Sequence, residues 1–323
     1  MRQRRLRDAP AWLVWLNLWV IYLVWGSTYL AIRVAVETLP PFTSGGIRFG
    51  LAGLVVLGFL ALRGGPERLR IGRRAVVGCA IVGTLLLLLG NGLVMAAERT
   101  VPSGLAALVI GGVPLWVVLL RLAHGERPSR WAIVGTIVGI VGVALLVLPR
   151  GGSGGVELAG LVMLIVAAAS WAVGTYYSRR LPLPADPFVS TGYQMLLGGM
   201  ALVAAGIVVG EPAAFDAAAV SFRSVLAMAY LWIFGSLLAF TSYTWLLQHA
   251  PVSRVSTYAY VNPVVAVALG WLVLGEEITL ALLAPAAIIV AGVAFIVRSE
   301  TPREQRETVA EAAPVPAAGG AQR

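Results

Sequence analysis

Ten apolar stretches, most of them long enough to cross a lipid bilayer, are the feature that most constrains how this chain can fold. A membrane-spanning helix needs about 20 mainly apolar residues, and backbone polar groups in hydrocarbon must be hydrogen-bonded within helices or closed barrels. The stretches, numbered here as spans 1 to 10, are residues 12–33, 41–62, 75–96, 102–122, 130–148, 157–178, 188–209, 224–247, 252–273 and 278–297. The sequence therefore predicts an all-α polytopic membrane protein with ten transmembrane helices.

The composition supports this class and excludes several others. The chain is 59% hydrophobic and 12% charged, whereas soluble domains carry roughly 25% charged residues. Its basic residues are all arginine, which excludes a Walker-A phosphate loop and a lysine Schiff base. Cys79 is the single cysteine, so neither an intramolecular disulfide nor a cysteine metal cluster can form. We therefore expect no cofactor and no metal site.

The distribution of arginine predicts the orientation in the membrane. The N-terminal segment, the loops after even-numbered spans and the C-terminal tail hold 19 arginines, whereas the loops after odd-numbered spans hold 4. Because cytoplasmic segments carry the excess of basic residues, both termini should face the cytoplasm from the inner (plasma) membrane. The basic residues alternate between loops and do not form one patch, so we expect membrane lipid and no nucleic acid as the partner.

An internal repeat relates the two halves of the chain. Val101–Glu126 and Ser253–Glu276 both carry a mid-span proline, Pro114 and Pro263, and both end in Gly-Glu. Trp25 matches Trp171 at an offset of 146 residues, with further matches at the same offset in spans 2 and 7. Each half has five spans, and since five is odd, the second half must enter the membrane upside down. The prediction is two inverted five-helix repeats, an arrangement that places a transporter's binding site between the halves.

The repeat also divides the chain into segments. The predicted organisation is a basic cytoplasmic N-terminus at 1–11, a first five-helix repeat at 12–148, a glycine-rich hinge at 149–156, a second five-helix repeat at 157–297, and a disordered cytoplasmic tail at 298–323. Residues 151–155 match G-x-S-x-G, but a hydrolase needs this motif in a strand–turn–helix. We interpret it as a linker.

Several motifs carry a resemblance to a known family. They are WGSTYLAIR at Trp25–Arg33, Gly90-Asn91-Gly92 with Glu98, YAYVNP at Tyr258–Pro263, and the two Gly-Glu ends. In these the chain resembles the EamA family of the drug/metabolite transporter superfamily, in its YedA-like bacterial inner-membrane branch. The resemblance implies a central cavity lined by spans 1, 3, 4, 6, 8 and 9, with spans 5 and 10 as outer scaffold.

Polar and aromatic residues in the middle of spans are the candidates for lining that cavity. On span 9 the i, i+3/i+4 spacing places Thr257 and Tyr260 on one face and Tyr258 and Asn262 on another, and only one face can line the cavity. Asn91 is assigned equally to substrate binding and to contact with a neighbouring helix. The predicted substrate cavity comprises Trp25, Tyr29, Asn91, Trp171, Thr175, Thr257, Tyr258, Tyr260 and Asn262.

A charge inside span 2 breaks the symmetry of the repeat. Arg48 lies seven residues past Pro41, about 10 Å below the end of the span, and such an arginine usually faces a cavity or a partner. We predict that Arg48 and Glu98 form a charge pair that acts as a gate, and that Pro114 and Pro263 break their helices. The alternatives for Arg48 are a substrate carboxylate as its partner, or an anchoring role in which the side chain reaches the interface.

The function predicted from these features is secondary transport. The protein should move small organic metabolites, amino-acid-like or drug-like compounds, by alternating access, without ATP and as an exporter. Proton coupling and the oligomeric state are left open. The main alternative is a membrane-embedded lipid-handling protein or enzyme, for which no recognisable catalytic motif is present in the sequence. A channel is a third interpretation.

Overall fold

The computed structural model describes residues 9–147, 158–250 and 252–312, and the regular elements within these ranges are all helices. Ten long helices, α1 to α10, correspond to spans 1 to 10. They are Ala11–Ala35, Pro41–Gly64, Arg73–Ala97, Ser103–Ala123, Arg130–Val147, Leu158–Ser178, Pro187–Val208, Phe222–Leu246, Tyr258–Leu274 and Leu280–Ala312. Eight of the ten are long and apolar enough to cross a membrane, and α5 and α9 are shorter apolar helices.

The segments outside the spans bear on three predictions. The hinge at 149–156 lies outside the described residues, as do residues 1–8 and 313–323. The tail that we predicted to be disordered from residue 298 is helical in the structure as far as Ala312, as a continuation of α10. A physical reason is composition, because residues 298–312 hold four glutamates and three arginines, which favour helix.

Glycines let α2 and α7 pack closely in the centre of the molecule. A Cβ on Gly46 would lie 2.7 Å from the carbonyl oxygen of Gly199, and a Cβ on Gly53 would lie 2.7 Å from that of Gly192. Gly46 and Gly192 are related by the sequence repeat, as are Gly53 and Gly199. The repeat therefore relates the Gly46–Gly199 contact to the Gly192–Gly53 contact, as expected for inverted halves that meet at a pseudo-twofold axis.

A second pair of related helices, α5 and α10, packs in a similar way. A Cβ on Gly135 would lie 2.7 Å from the carbonyl oxygen of Gly292, and one on Gly142 would lie 2.8 Å from Cγ1 of Ile289. Their small residues are thus used in contacts within the chain.

Both α3 and α8 contain a wide stretch of π-helix at corresponding places. The stretches are Thr84–Gly92 in α3 and Leu231–Leu238 in α8. Turns of this kind are rare and are frequent at functional sites. Their presence in both halves makes this level of the molecule a candidate for a binding site.

Spans 4 and 9 are both interrupted, but only span 4 is interrupted near its proline. The first is divided into Ser103–Gly111 and Val113–Ala123, so it breaks at Gly112, two residues before Pro114. In contrast, α9 runs through Pro263 without interruption. The break in span 9 lies at Ser256 and Thr257, after the short helix Val252–Val255.

Close packing explains why α9 stays helical at Pro263. Proline lacks the N–H that would bind the carbonyl four residues earlier, here that of Ala259. A Cβ on Gly111 of α4 would lie 2.7 Å from Cγ of Pro263 and 3.2 Å from the carbonyl oxygen of Ala259. The absence of a side chain at Gly111 lets α4 pack over the proline ring, so tertiary contact holds the helix together at this point.

The hydrophobic core is divided along the membrane normal. We call the side of the bundle on which α1 begins the first side, and the side on which α1 ends the second side. One large cluster, the second-side cluster, combines α1, α3, α4, α6 and α8 near the second side, with Ile32, Met95, Leu108, Leu164 and Leu231 among its buried members. It also extends through α5 and α10 as far as Ala132 and Ile296, toward the first side. Toward the first side, a separate cluster belongs to α1, α8 and the segments of span 9, with Leu18, Ile21, Leu246 and Val255. Along α1, therefore, the residues near its end belong to the large cluster and those near its beginning belong to the separate one.

Candidate functional site

An aromatic cluster surrounds Trp25 in the middle of α1. Its ring centroid lies 5.4 Å from that of Phe240, 5.1 Å from that of Tyr243 and 5.2 Å from that of Tyr258. The indole Nε1 donates a hydrogen bond to the carbonyl oxygen of Gly235 at 3.3 Å. The four rings are half-buried, so each keeps part of its surface available for contact. The structure thus brings predicted residues Trp25 and Tyr258 together.

The other predicted residues of span 9 are placed differently from one another. The hydroxyl of Thr257 is hydrogen-bonded to that of Tyr22 and donates to the carbonyl of Arg254 at 2.6 Å. Tyr260 packs at the edge of the large second-side cluster. Asn262 is buried, and its Oδ1 has no hydrogen-bond partner among the described residues. Thr257 therefore joins α1 to span 9, whereas Asn262 keeps a free acceptor.

The predicted residues of α3 and α6 lie apart from the ring contacts of Trp25. A Cβ on Gly90 would lie 2.8 Å from Cε3 of Trp171, so this indole packs against α3. Thr175 is exposed one helical turn away. The side chain of Asn91 donates to the carbonyl of Leu86 at 3.3 Å, a group of its own helix in the π-helical stretch. Asn91 thus makes a bond that neither of the two predicted roles anticipated.

Arg48 is buried between α2 and α8, with 4% of its surface exposed. Its Nε donates a hydrogen bond to Oγ of Ser236 at 2.8 Å, and its guanidinium carbon lies 4.4 Å from the centroid of the Phe49 ring. Its Nη1 has no acceptor among the described residues. A buried guanidinium with a free N–H is unusual, because leaving such a donor unsatisfied is costly.

Glu98 is buried at the second side and is not bonded to Arg48. Its exposed fraction is 0%, and both carboxylate oxygens lack a hydrogen-bond partner in the described part of the chain. Arg33 donates to the backbone carbonyl of Glu98, not to its side chain. Tyr29, Arg33 and Glu276 are within electrostatic range of the carboxylate. The Arg48–Glu98 pair is therefore not formed in this conformation, and its formation in another conformation stays a prediction.

Glu276 closes the second side by joining α9 to α4. Its carboxylate accepts hydrogen bonds from the backbone N–H of Ser103 at 2.7 Å, the hydroxyl of Ser103 at 2.8 Å and the N–H of Gly104 at 3.1 Å. These are free donors of a helix N-terminus, where a carboxylate is favoured by the helix dipole. The helix that Glu276 caps belongs to the other half of the chain.

At the first side, Glu126 makes a different set of contacts. It accepts from Nε of Arg121 at 2.8 Å, from the hydroxyl of Tyr176 at 2.8 Å and from Arg180 at 2.7 Å. The hydrogen bonds from Arg121 and Tyr176 lower the pKa of Glu126 to about 2. Glu126 is the repeat mate of Glu276, and it also connects the halves, because it joins α4 to residues at the end of α6. The two Gly-Glu ends differ in what they bind: Glu126 binds side chains, whereas Glu276 binds a helix N-terminus.

Several residues of this region were not predicted from the sequence. Phe240 and Tyr243 are spaced i, i+3, which places them on one helical face, so aromatic spacing within span 8 was a usable signal. Ser236 had no such signal, because its importance depends on Arg48, a residue 188 positions away in the chain.

Comparison with known proteins places these features in a family. The EamA-like transporter family matches residues 12–148 and again residues 158–298. The inner membrane transporter YedA of Escherichia coli is 37% identical over 265 residues, which cover 81% of this chain and 83% of the relative. A Salmonella typhimurium protein named "Probable amino-acid metabolite efflux pump" is 25% identical, over 84% of this chain and 91% of its own.

A solved structure agrees in fold. It aligns with a TM-score of 0.60 at 22% identity, and it covers 90% of this chain and 98% of its own. Because the family matches both halves, and a relative above 30% identity is covered over most of its length, the chain belongs to the EamA-like transporter family.

Proposed function

We propose that this protein is a secondary carrier that exports a small organic molecule, amino-acid-like or drug-like, across the inner membrane by alternating access. The observation that carries the proposal is the asymmetry between the two sides of the bundle. At the second side the repeat mates α4 and α9 are in contact and are joined through Glu276, whereas toward the first side α4 leaves α9. Half-exposed aromatic rings of α1, α8 and α9 meet in the same region.

The path of α4 supports this divergence. Its first segment, Ser103–Gly111, packs against α9, and Glu276 binds its N-terminus. Beyond Gly112 the second segment, Val113–Ala123, packs mainly against α6 and α5 instead. Since α4 and α9 are repeat mates, their contact on one side alone is what a carrier with one closed and one open end requires.

The contents of the diverging region suit an organic solute. The rings of Trp25, Tyr243 and Tyr258 supply apolar faces with a few polar groups, which is typical of small-molecule sites. Together with these rings, we retain the other sequence candidates as the proposed cavity lining, with Tyr29 toward the closed side. Trp171 and Thr175 would line the opposite wall.

The orientation and the gate complete the proposal. Following the arginine distribution, the first side is the cytoplasm, so the structure corresponds to a state that is closed toward the outside. Opening the second side would release Glu98 from burial, and pairing with Arg48 is then the proposed gate contact. Export is the proposed direction, and the name of the Salmonella relative agrees with it.

Counterflow in liposomes tests the proposal. The purified protein is reconstituted, the liposomes are loaded with unlabelled amino acids and small metabolites, and uptake of each labelled compound is measured. A carrier gives saturable uptake that is accelerated by the internal solute. Linear uptake without acceleration would indicate a channel, and uptake no greater than in protein-free liposomes for every solute would contradict transport of this class.

A matched pair of variants connects the assay to the aromatic cluster. Trp25→Ala removes the central ring and should lower uptake strongly. Trp15 lies on the same helix with 51% of its surface exposed, so Trp15→Ala should leave uptake close to the wild-type rate. Equal losses in both variants would mean that the effect comes from a general disturbance of α1.

A further inference from the structure

Arg48 carries a buried positive charge that no carboxylate of the described residues pairs with. Ion pairs form elsewhere in this part of the chain, at Arg68–Asp186, Arg70–Glu67, Arg121–Glu126 and Arg180–Glu126. A charge in such a place needs an anion, water or a strong acceptor close by. The Ser236 hydroxyl and the Phe49 ring are neutral, so they do not neutralise the guanidinium.

Two buried donors near the interface of α2 and α8 lack acceptors within the described part of the chain. One is Nη1 of Arg48, and the other is Nε1 of Trp232. Trp232 lies in the π-helical stretch of α8, four residues before Ser236, and it packs on the cluster that contains Phe49. Native proteins pair nearly all buried donors, so two free N–H groups at one interface indicate that an acceptor from outside the chain completes it.

The guanidinium lies beside the aromatic cluster of the proposed cavity. At Gly235, the position of a Cβ would be 3.5 Å from Nη2 of Arg48 and 3.2 Å from Cγ2 of Thr28. The carbonyl of Gly235 accepts the hydrogen bond of Trp25. Arg48 and Trp25 therefore both contact α8 at the same residue, Gly235.

The chemistry of these groups defines the class of ligand. A guanidinium presents a planar fork that matches a carboxylate with two hydrogen bonds. A single positive charge neutralises a monoanion, whereas a phosphate dianion would require a second cation. The rings beside it would accommodate an apolar or aromatic body.

We propose that Arg48 is the anion subsite of the transport cavity, and that the transported molecule is a small monocarboxylate whose apolar body lies against Trp25 and Tyr258. This inference rests on the proposed function and adds the class of substrate to it. The proposed Arg48–Glu98 pair is compatible with it, because Glu98 would occupy the subsite when the substrate is absent. A purely structural Arg48–Glu98 pair is the rival explanation of the same charge.

The test compares acids with their amides in binding to the purified full-length protein. Isothermal titration calorimetry at pH 7 would use phenylacetate, indoleacetate and phenylalanine, each beside its amide. The amides keep the apolar body and remove the carboxylate. We expect at least one acid to bind the wild type, with its amide bound about tenfold to a hundredfold more weakly, because hydrogen bonds to a charged group are lost.

Two arginine variants make the test specific. Arg48→Gln should weaken binding of the acid by the same factor and leave binding of the amide unchanged. Arg63 lies on the same helix, with its guanidinium 5.2 Å from the Phe59 ring centroid, but outside the proposed site. Arg63→Gln should therefore bind the acid as the wild type does. Should Arg48→Gln fail to fold, Arg48→Lys keeps the charge without the fork, and it should bind the acid with intermediate affinity.

Several results would overturn the inference. They are no binding by any acid of the panel, equal affinity for acids and amides, and unchanged affinity for acids in the Arg48 variants. Recovery of transport by the double variant Arg48→Glu with Glu98→Arg would show that Arg48 serves the pair and not a substrate. Counterflow of neutral solutes without counterflow of acids would remove this inference alone, whereas absence of all counterflow would remove the transporter proposal.

Discussion

The closure of the second side by Glu276 can be tested through one isosteric change. Glu276→Gln keeps the size of the side chain and one acceptor oxygen, but it removes the charge that receives three hydrogen bonds from Ser103 and Gly104. A hydrogen bond to a charged group contributes about 1.5–3 kcal/mol, and a carboxylate at a helix N-terminus adds about 0.3–1 kcal/mol. In the open state, water replaces part of the hydrogen bonding that Glu276 receives from Ser103 and Gly104 in the closed state. The expected net effect of Glu276→Gln is therefore a shift of about 2 kcal/mol toward the open state, or roughly thirtyfold in the ratio of open to closed protein.

A buried cysteine reports this equilibrium. Ala31 is 8% exposed within the large second-side cluster, so Ala31→Cys in a Cys79→Ala background should react slowly with a membrane-impermeant maleimide added from outside. In the Glu276→Gln protein the labelling rate should rise by up to roughly thirtyfold, until the open state dominates. The rate is measured in whole cells, and thermal unfolding of the purified protein checks that the fold is intact.

Glu211 supplies the matched control. It accepts hydrogen bonds from the N–H groups of Phe42 and Thr43 at 2.9 and 2.7 Å and from the Thr43 hydroxyl at 2.7 Å. The chemistry resembles that of Glu276, but the helices that Glu211 joins are α2 and α7, which pack closely through their glycines. Glu211→Gln should therefore lower the unfolding temperature without faster labelling. Unchanged labelling in Glu276→Gln, or an equal increase in both variants, would refute the assignment of closure to Glu276.

Three further predictions concern topology, packing and pH. Cysteines at Glu67 and at Ala213 should be labelled from the cytoplasm and from outside respectively, and labelling of both from one side would contradict the inverted repeat. Gly46→Ala should lower the thermal unfolding temperature, because the new Cβ would lie 2.6 Å from Cγ2 of Val203. A Cβ on Gly50 would meet open space, so Gly50→Ala should be neutral or stabilising. The pKa of Glu126 is about 2 in the folded protein and about 4.3 in the unfolded chain, so its ion pairs stabilise the fold above pH 4.3 and this stabilisation is lost as the pH falls toward 2. In Glu126→Gln, the unfolding temperature should therefore fall less steeply over that pH range.

Local properties of the chain account for the parts of the fold that the sequence predicted. Hydrocarbon accepts only hydrogen-bonded backbone, so a run of about 20 apolar residues determines a helix from its own composition. The matches of Trp25 with Trp171 and of Pro41 with Pro187 then required two related halves of five spans. These inferences need no knowledge of contacts, and the all-helical fold and the family agree with them.

The helix interruptions depended on contacts that the sequence does not show. A proline in the interior of a helix removes one backbone hydrogen bond. Even so, α9 continues through Pro263, because Gly111 of α4 lets the two helices pack closely there. The break at Gly112 near Pro114 has the same local chemistry with different neighbours. Whether a proline breaks a helix was thus decided by packing between the halves.

Tertiary structure also decided which charges meet. The sequence identified Arg48 and Glu98 as costly buried groups, because a charge in a span must be compensated wherever the helices pack. It could not show that Arg48 bonds to Ser236, or that Glu276 caps α4 across 173 positions of the chain. Burial of a charge follows from local hydrophobicity, but the identity of its partner follows from how ten helices are arranged in space, and that arrangement depends on all of them together.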